Sequence, residues 1–470
     1  MDEELCYMPA LEMAEAIRKG EISCIEVTDA ILERIEKINP KINAYCTVLT
    51  EEARKASKEA DEAVKQGKHL GPLHGVPVSI KDLIFTKGIR TTFGSKIFEN
   101  FIQEMDAIAV QRLKVAGAII LGKTNTPEFG YKGVTDNLLF GVTRNPWNLN
   151  LTSGGSSGGA GASVAAGLGP LALGSDGGGS IRIPSSFCGI FGFKPSFGRI
   201  PRYPELPGWE SLAHNGPMAR TVRDAALMLD VMAGPHDADR LSLPDEKVSY
   251  LKSVESKPKE LKVAWSIDLG YAVVDPRVRA VVEKAVEGFE GLGWKLQEDH
   301  PNFGNPEPIF MTMVLAETSA PLIDAMGEWV DKIDPPLARL VKIGKDISAT
   351  DYVKATFQRK EFWEKVYPFF KKYDLLLTPT LAVPPFAIEE GMGPRVIDGK
   401  KVSILGWMAF TFPFNLTGQP AASVPCGWTK EGLPVGLQII GRRFDDVTVL
   451  QVAAAFEEAS PWAQKRPPIY

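Results

Sequence analysis

Two glycine-rich runs dominate residues 145–195, and they constrain the chain more than any other feature. The first run is Ser153-Gly-Gly-Ser-Ser-Gly-Gly-Ala-Gly161, and the second is Gly174-Ser-Asp-Gly-Gly-Gly-Ser180. Large side chains are missing from both runs, which is typical of backbone that must come close to another group. A run such as Gly177-Gly178-Gly179-Ser180 can turn several backbone N–H groups toward one point. The pattern therefore predicts a site built largely from backbone, next to Ser180.

A lysine and two serines are the residues whose chemistry best fits a catalytic site for acyl transfer. Lys81 ends the apolar segment Val76–Ile80, which predicts a buried strand, and Ser156 lies in the first glycine-rich run. A lysine can act as a general base only when burial lowers its pKa by several units from about 10.4. The amides of Gly177, Gly178, Gly179 and Ser180 are candidate oxyanion donors, and each such donor contributes about 3 kcal/mol to acyl transfer. Ser180 is the candidate nucleophile.

The segment from Gly117 to Thr124 fits the phosphate-loop pattern GxxxxGK[ST], with Lys123 as its lysine. A phosphate loop lies after a strand and before a helix. Here the residues between Gly117 and Gly122 are themselves the apolar strand, and Asn125-Thr126-Pro127 is a poor helix start. The match is interpreted as coincidental, and a nucleotide-binding protein is a disfavoured hypothesis.

A second motif, Gly154-Gly-Ser-Ser-Gly158, fits the GxSxG nucleophile elbow of α/β-hydrolases. That elbow follows a buried strand and works with a histidine base, whereas the preceding segment 145–150 is loop-like. No histidine lies at a predicted strand end beside a carboxylate. All five are interpreted as surface or packing residues: His69, His74, His214, His236 and His300.

Helical and strand patterns alternate from end to end, which favours one large α/β unit, a single domain over 1–470. We expect N-terminal helices over 1–70 and a catalytic core over 72–235. A surface excursion is expected over 236–260, and the rest of the sheet, with helices and pocket loops, over 261–470.

Composition narrows the possible partners. The net charge of −5 gives no reason to expect nucleic acid or an acidic membrane, and no stretch approaches the roughly 20 apolar residues of a membrane span. The start Met-Asp-Glu-Glu lacks the features of a signal peptide. The five cysteines are scattered, without a CxxC pair, so neither a zinc site nor a disulfide framework is expected. A cytoplasmic location is the prediction.

The long motifs around these residues resemble the amidase signature family. The resemblance is dense from about 72 to 200, and it continues in shorter pieces later in the chain. The motifs are Gly75-Val-Pro-Val-Ser-Ile-Lys81-Asp82, Gly122-Lys-Thr-Asn-Thr-Pro-Glu128, Asn145-Pro-Trp-Asn148, Gly154-Gly-Ser-Ser-Gly-Gly159, Gly174-Ser-Asp-Gly-Gly-Gly-Ser-Ile-Arg-Ile-Pro184, Gly216-Pro-Met-Ala-Arg220, Leu377-Thr-Pro-Thr380 and Gly418-Gln-Pro-Ala421. The family implies an α/β/α layered domain around a large mixed β-sheet.

The resemblance also implies roles for individual residues. It implies a triad with Lys81 as base, Ser156 as the bridging serine after a cis peptide bond at Gly155–Ser156, and Ser180 as nucleophile. It places Ser157, Asp176 and Arg182 where the family has supporting hydrogen-bonding residues. The implied chemistry is hydrolysis of an amide C–N bond with water, and it needs neither a metal nor an organic cofactor.

The chain as a whole is most similar to stand-alone amidases of the aryl acylamidase and 6-aminohexanoate cyclic dimer hydrolase type. An alternative is the glutamine-hydrolysing component of a glutamyl-tRNA amidotransferase, which releases ammonia from glutamine within a complex. That component usually has Gly-Ser-Ile-Arg-Gln-Pro where this chain has Ser180-Ile-Arg-Ile-Pro184. The departure removes a polar group suited to glutamine. We therefore expect a stand-alone amidase, a monomer or homodimer, acting on a small apolar or aryl amide; esters and carbamates are alternatives.

Aromatic residues near the motifs are candidate walls of the substrate pocket. Phe129, Tyr131, Trp209 and Trp407 are the candidate substrate-binding residues. Tyr131 offers an aromatic face together with a hydroxyl group. Phe187 and Phe410 are also candidates, although their pattern is more typical of the core.

Overall fold

The computed structural model describes residues 3–329 and 331–469, and within them eleven strands form one mixed sheet. In chain order the strands are β1 (Tyr45–Val48), β2 (Pro77–Lys81), β3 (Ile119–Thr124), β4 (Leu171–Asp176), β5 (Phe191–Lys194), β6 (His214–Ala219), β7 (Lys262–Trp265), β8 (Lys295–Glu298), β9 (Leu375–Pro379), β10 (Ala421–Trp428) and β11 (Pro434–Gly441). Across the sheet they lie in the order β1-β3-β2-β4-β6-β5-β10-β11-β9-β7-β8. The predicted α/β fold around a mixed sheet is confirmed.

The strands that position the site are parallel and enclosed. β2 pairs in parallel with both β3 and β4. Every residue of β2 and β3 is buried, so helices and loops cover both faces of the sheet there. Burial on both faces explains why these strands are nearly continuous apolar runs in the sequence.

Helices alternate with the strands throughout the part of the chain that the structure describes. The α-helices are Glu3–Tyr7, Ala10–Lys19, Cys24–Ile42, Thr50–Lys65, Ile108–Val115, Gly158–Ala165, Arg182–Cys188, Val222–Met232, Tyr250–Ser253, Pro276–Glu290, Glu307–Ser319, Met326–Trp329, Pro335–Gly344, Ala349–Lys372, Pro413–Leu416 and Asp446–Ala459. Short 3-10 helices are Lys96–Phe98, Glu128–Gly130, Ile323–Ala325, Ile388–Glu390 and Gly406–Met408. Two-residue and five-residue strands pair outside the main sheet as Asp136–Asn137 with Gly141–Val142, Arg144–Asn145 with Asn148–Thr152, and Val396–Ile397 with Lys400–Lys401.

The stretch 236–260 is mostly irregular and exposed apart from the helical turn Tyr250–Ser253. Within the part of the chain that the structure describes, no single helix is long and apolar enough to cross a membrane. By length and composition alone, one bent pair, Glu307–Ser319 with Ile323–Trp329, passes the same test.

A second, smaller hydrophobic cluster lies apart from the main core. Its buried members are Tyr131, Leu322, Ile333, Leu337 and Val341. Four of the five come from residues 320–329 and 331–344, which we name the cover segment. Tyr131 comes instead from the loop after β3, so the cover segment packs onto that loop as well as against the helix Glu307–Ser319.

Candidate active site

The site lies where two parallel strands end side by side. β2 ends at Lys81 and β4 ends at Asp176, and because the strands are parallel their carboxyl ends share one edge of the sheet. Residues 177–180 follow β4 directly, and residues 153–157 lead into the helix Gly158–Ala165. Ligand sites are common at this edge of parallel sheets.

Lys81 is fully buried and faces hydroxyl groups. Its Nζ donates hydrogen bonds to Ser156 Oγ at 2.7 Å and to Ser175 Oγ at 3.0 Å. Burial lowers the pKa of Lys81 to about 7, although the negative charge of Asp176 acts in the opposite direction. A large share of Lys81 is therefore uncharged at neutral pH, as a base requires.

Ser156 is held by close packing of the backbone around it. The peptide bond Gly155–Ser156 is cis. A Cβ at Gly155 would lie 2.6 Å from the carbonyl carbon of Val134, so only glycine fits at this position. A Cβ at Gly130 would lie 3.3 Å from Ser156 Oγ, which shows how closely the loop after β3 approaches the hydroxyl.

The four candidate oxyanion amides are not equivalent. The Gly179 N–H donates to Asp176 Oδ1 at 2.8 Å, so this candidate donor is already engaged within the chain. Among the described residues, the amides of Gly177, Gly178 and Ser180 have no hydrogen-bond acceptor. The reason is the turn itself: with φ at +130° at Gly179, the chain folds back so that this amide reaches Asp176.

A buried ion pair holds the turn from behind. Arg182 Nη2 lies 2.9 Å from Asp176 Oδ1, and both side chains are fully buried. Asn415 Nδ2 donates to the same carboxylate oxygen at 2.9 Å. Burial alone would raise the pKa of Asp176, but the Arg182 guanidinium, with help from Asn415, holds it well below its usual range. Asp176 is therefore a permanent anion that accepts from the amides of Gly179 and Ile181.

Ser157 joins the two glycine-rich runs. Its amide donates to the carbonyl oxygen of Ser180 at 3.1 Å, and its hydroxyl donates to the carbonyl oxygen of Ser175 at 3.1 Å. Ser157 is fully buried. The residue thus sets the distance between the segment that carries Ser156 and the segment that carries Ser180.

Sequence reasoning missed Ser175, and of the surface and packing roles that it left open for His214 the structure shows the packing role. Ser175 is the second hydroxyl partner of Lys81, and its position one residue before Asp176 on β4 is the only sequence signal for it. His214 lies directly opposite Asp176 in the pairing of β6 with β4. Its Nδ1 is 3.2 Å from the Asp176 carbonyl oxygen, and its Nε2 is 3.3 Å from Lys194 Nζ. Burial and then the Lys194 charge hold the pKa of His214 well below its ordinary value. It packs behind the site as a neutral ring, rather than on the surface.

Ser156 and Ser180 line one cavity of about 230 Å³, together with Gly177. Three of the candidate aromatic residues line it too: Phe129, Tyr131 and Trp209. Trp407 lies instead in an adjoining cavity of about 60 Å³, which Ser180 also borders. Phe187 and Phe410 are fully buried and line neither cavity, as expected of core residues.

The hydroxyl of Tyr131 is engaged by the cover segment. Tyr131 Oη donates to Asp334 Oδ2 at 2.8 Å, and Lys132 Nζ donates to the same oxygen at 3.0 Å. The amide of Asp334 in turn donates to Glu128 Oε2 at 2.6 Å. No local sequence pattern indicates these hydrogen bonds, because Asp334 lies about 200 residues from its partners. Tyr131 lines the cavities while its hydroxyl binds the cover segment.

The phosphate-loop match is coincidental, as the sequence indicated. Residues 119–124 form strand β3, and Lys123 is buried within it. Its Nζ donates to the Ile84 carbonyl oxygen at 2.6 Å and to Thr86 Oγ1 and Thr91 Oγ1 at 3.1 and 3.0 Å. A lysine so enclosed cannot reach a nucleotide phosphate.

Comparison with known proteins identifies the family of the chain. A model of the family described as Amidase matches residues 26–450. Over 99% of its length the chain is 42% identical to an acylamidase from Rhodococcus erythropolis, covering 98% of that protein. It is also 40% identical to the A component of a glutamyl-tRNA(Gln) amidotransferase from Carboxydothermus hydrogenoformans, with 99% of each covered. The solved structure of a bacterial aryl acylamidase of the amidase signature family superposes with a TM-score of 0.91, at 32% identity and 97% coverage of both chains.

Proposed function

The chain belongs to the amidase family and is an amide-hydrolysing enzyme, and we propose that it is a stand-alone amidase with Ser180 as its nucleophile. The proposal is carried by Lys81, a fully buried lysine whose Nζ lies 2.7 Å from Ser156 Oγ. The substrate is a small apolar or aryl amide. All 470 residues act as one domain.

The first half of the reaction forms an acyl-enzyme. Uncharged Lys81 takes the proton of Ser156 Oγ, and Ser156 takes the proton of Ser180 Oγ. The Ser180 oxygen attacks the carbonyl carbon and forms the C–O bond of a tetrahedral intermediate. The free amides of Gly177, Gly178 and Ser180 stabilise its oxyanion, each by about 3 kcal/mol.

The second half releases both products. Ser156 donates the proton that it took from Ser180 to the nitrogen as the C–N bond breaks, because an amine anion is a very poor leaving group, and protonated Lys81 returns a proton to Ser156. Water then enters, loses its proton through the same relay and attacks the acyl-enzyme. Ser180 recovers its proton and the carboxylic acid leaves.

The residues behind the reacting groups fix the donors. Asp176 accepts from Gly179 and Ile181, so the turn that carries the free amides cannot open without breaking a buried ion pair with Arg182. His214, held by Lys194, contacts the carbonyl oxygen of Asp176 from the other side. Electrostatic stabilisation of this kind depends on donors that are already oriented before the reaction.

The cavity supports an apolar or aryl substrate. Phe129, Tyr131 and Trp209 supply aromatic surface at the site, and Leu83 and Ile84 add aliphatic surface. The acylamidase relative and the aryl acylamidase structure support the same substrate class.

A glutamine amidase within a tRNA amidotransferase is the second candidate, and the amidotransferase relative at 40% identity favours it. Against it, Ile183 occupies the place where the amidotransferase component usually has glutamine, and this isoleucine is buried against the glycine-rich runs. Co-purification with two partner proteins, with ammonia released from glutamine only in their presence, would support the second candidate.

The test is to trap the acyl-enzyme. Incubation with an anilide and rapid acid quench should add the mass of the acyl group to the peptide that contains Ser180. Ser180→Ala should show no such mass and lose about 10⁴-fold or more in kcat while keeping its circular dichroism spectrum. Full activity in Ser180→Ala would refute the proposal. A panel of anilides, aliphatic amides, glutamine, esters and carbamates would define the substrate.

We expect the enzyme to work in the cytoplasm as a monomer or homodimer. Cys24, Cys46, Cys188 and Cys426 are free thiols, which supports a reducing compartment.

A further inference from the structure

Two cavities meet at Ser180, and they differ in size and chemistry. The larger has a volume of about 230 Å³ and the smaller about 60 Å³. Ser180, Tyr131, Trp209 and Thr318 border both. A substrate attacked at its carbonyl carbon by Ser180 therefore has one side in each cavity.

The larger cavity holds the proton relay and the polar groups. Ser156 and Ser175 line it, and neither lines the smaller cavity. Arg202 and Glu205, an ion pair, also line it. The smaller cavity is mainly apolar, with Phe310, Met311 and Leu405 in its wall.

The position of Ser156 decides the orientation of the substrate. The proposed reaction requires Ser156 to protonate the leaving nitrogen, so the nitrogen must face the larger cavity. The acyl substituent on the other side of the carbonyl carbon then points into the smaller cavity. The turn that carries the free amides lies between the two cavities: Gly177 borders only the larger cavity, and Gly178 borders only the smaller one.

The wall between the two cavities is fixed. Trp209 Nε1 donates to Thr318 Oγ1 at 2.9 Å, and its ring lies so close to Gly177 that a Cβ there would be 2.5 Å from Trp209 Cε3. On the other side, a Cβ at Gly178 would be 2.7 Å from the ring of Phe310. The rings of Trp209 and Phe310 are therefore in close contact with the turn at Gly177 and Gly178. This contact limits how far the smaller cavity can widen.

We propose that the enzyme binds its substrate with the acyl substituent in the smaller cavity and the amine in the larger one, and so selects amides of a short apolar acid with a bulkier amine. This deepens the proposed function and rests on it. The smaller cavity, at about 60 Å³ against about 230 Å³, accommodates the smaller of the two substituents on the carbonyl carbon. The larger cavity accommodates an aryl amine with polar substituents, which Arg202 and Glu205 can contact.

Two substrate series test the orientation. With aniline kept constant, kcat/KM should fall at least about tenfold between butyryl and octanoyl anilide, because the longer chain exceeds the smaller cavity. Met311→Ala enlarges that cavity. It should raise kcat/KM for the octanoyl anilide, relative to kcat/KM for the acetyl anilide, about tenfold. Leu206→Ala, a matched truncation in the larger cavity, should change the ranking of amines for acetyl amides but not the ranking of acyl groups.

A single-turnover measurement separates the two cavities further. A butyryl anilide and a butyryl phenyl ester form the same acyl-enzyme, so deacylation depends on the acyl side alone. Its rate should respond to Met311→Ala and not to Leu206→Ala. If acyl ranking and deacylation respond to Leu206→Ala instead, or to neither variant, the assignment is overturned although the acyl-enzyme still forms. If no substrate acylates Ser180, the proposed function itself fails.

Discussion

Lys81 and Lys123 lie on neighbouring strands, β2 and β3, and both are fully buried. Burial lowers the pKa of both side chains, to about 7 for Lys81 and about 8 for Lys123. Their surroundings differ. Lys81 donates to two serine hydroxyls at the edge of the larger cavity, whereas Lys123 donates to the Ile84 carbonyl oxygen and to two threonine hydroxyls, and neither threonine lines a cavity.

The difference shows that burial alone does not make a base. A carbonyl oxygen has no proton to give, and Lys123 also has a carboxylate nearby, with Asp82 Oδ1 at 3.8 Å from its Nζ. Lys81 has no such ion pair among the described residues, and its nearest partner, Ser156, lies on the route to the substrate. On the proposed mechanism, the two lysines differ because Ser156, a hydroxyl partner of Lys81, lines the larger cavity, whereas the hydroxyl partners of Lys123 line neither cavity.

The largest expected contrast is in activity. Lys81→Met should reduce kcat by about 10³-fold, since it removes the general base. Lys123→Met should leave kcat per folded molecule within about threefold. Steady-state kinetics on protein quantified by active-site titration would measure both.

Equal losses in the two variants would break the distinction between the lysines. Circular dichroism spectra provide the control for folding. If Lys123→Met fails to fold, Lys123→Arg keeps the positive charge. Its kcat can then be compared with that of Lys81→Met in the same way.

The next contrast is in stability. Lys123→Met leaves the Asp82 carboxylate buried without its cation, and we expect the free energy of unfolding to fall by about 3 kcal/mol or more. Lys81→Met should change it by about 1 kcal/mol or less, because Lys81 is uncharged for much of the time. Urea denaturation at pH 7.5 would measure both. A larger loss for Lys81→Met would indicate that Lys81 is mainly structural.

A smaller contrast comes from the second hydroxyl beside each lysine. Ser175→Ala removes a group 3.0 Å from Lys81 Nζ and should lower kcat about tenfold by letting the amine move. Thr86→Val removes a group 3.1 Å from Lys123 Nζ and should cost about 1 kcal/mol of stability with kcat unchanged. If kcat falls equally in both, the hydroxyls have the same role.

Much of the fold follows from local patterns in the sequence. Buried strands such as β2 and β3 are short apolar runs, and the sequence predicts both close to their observed positions. β1 was missed, because only its first residue is buried and it continues a helical region without a strong turn. Its strand character comes from pairing with β3, which local sequence does not show.

The candidate site also contains residues that local motifs indicate and residues that they do not. Lys81, Ser156 and Ser180 lie in motifs and were found from them. The roles of Ser175, His214 and Asp334 arise from strand pairing and from the packing of distant segments. The occupied amide of Gly179 depends on one backbone turn, which a run of three glycines does not specify.

The most direct test of Lys81 as the base is the pH dependence of kcat/KM for an anilide without titratable groups. Lys81 must be uncharged to act, and its pKa is about 7, so activity should be lost as pH falls through that value. We expect a single-proton titration with a midpoint near pH 7 and a plateau above pH 8. A profile that stays flat down to pH 5 would contradict a lysine base.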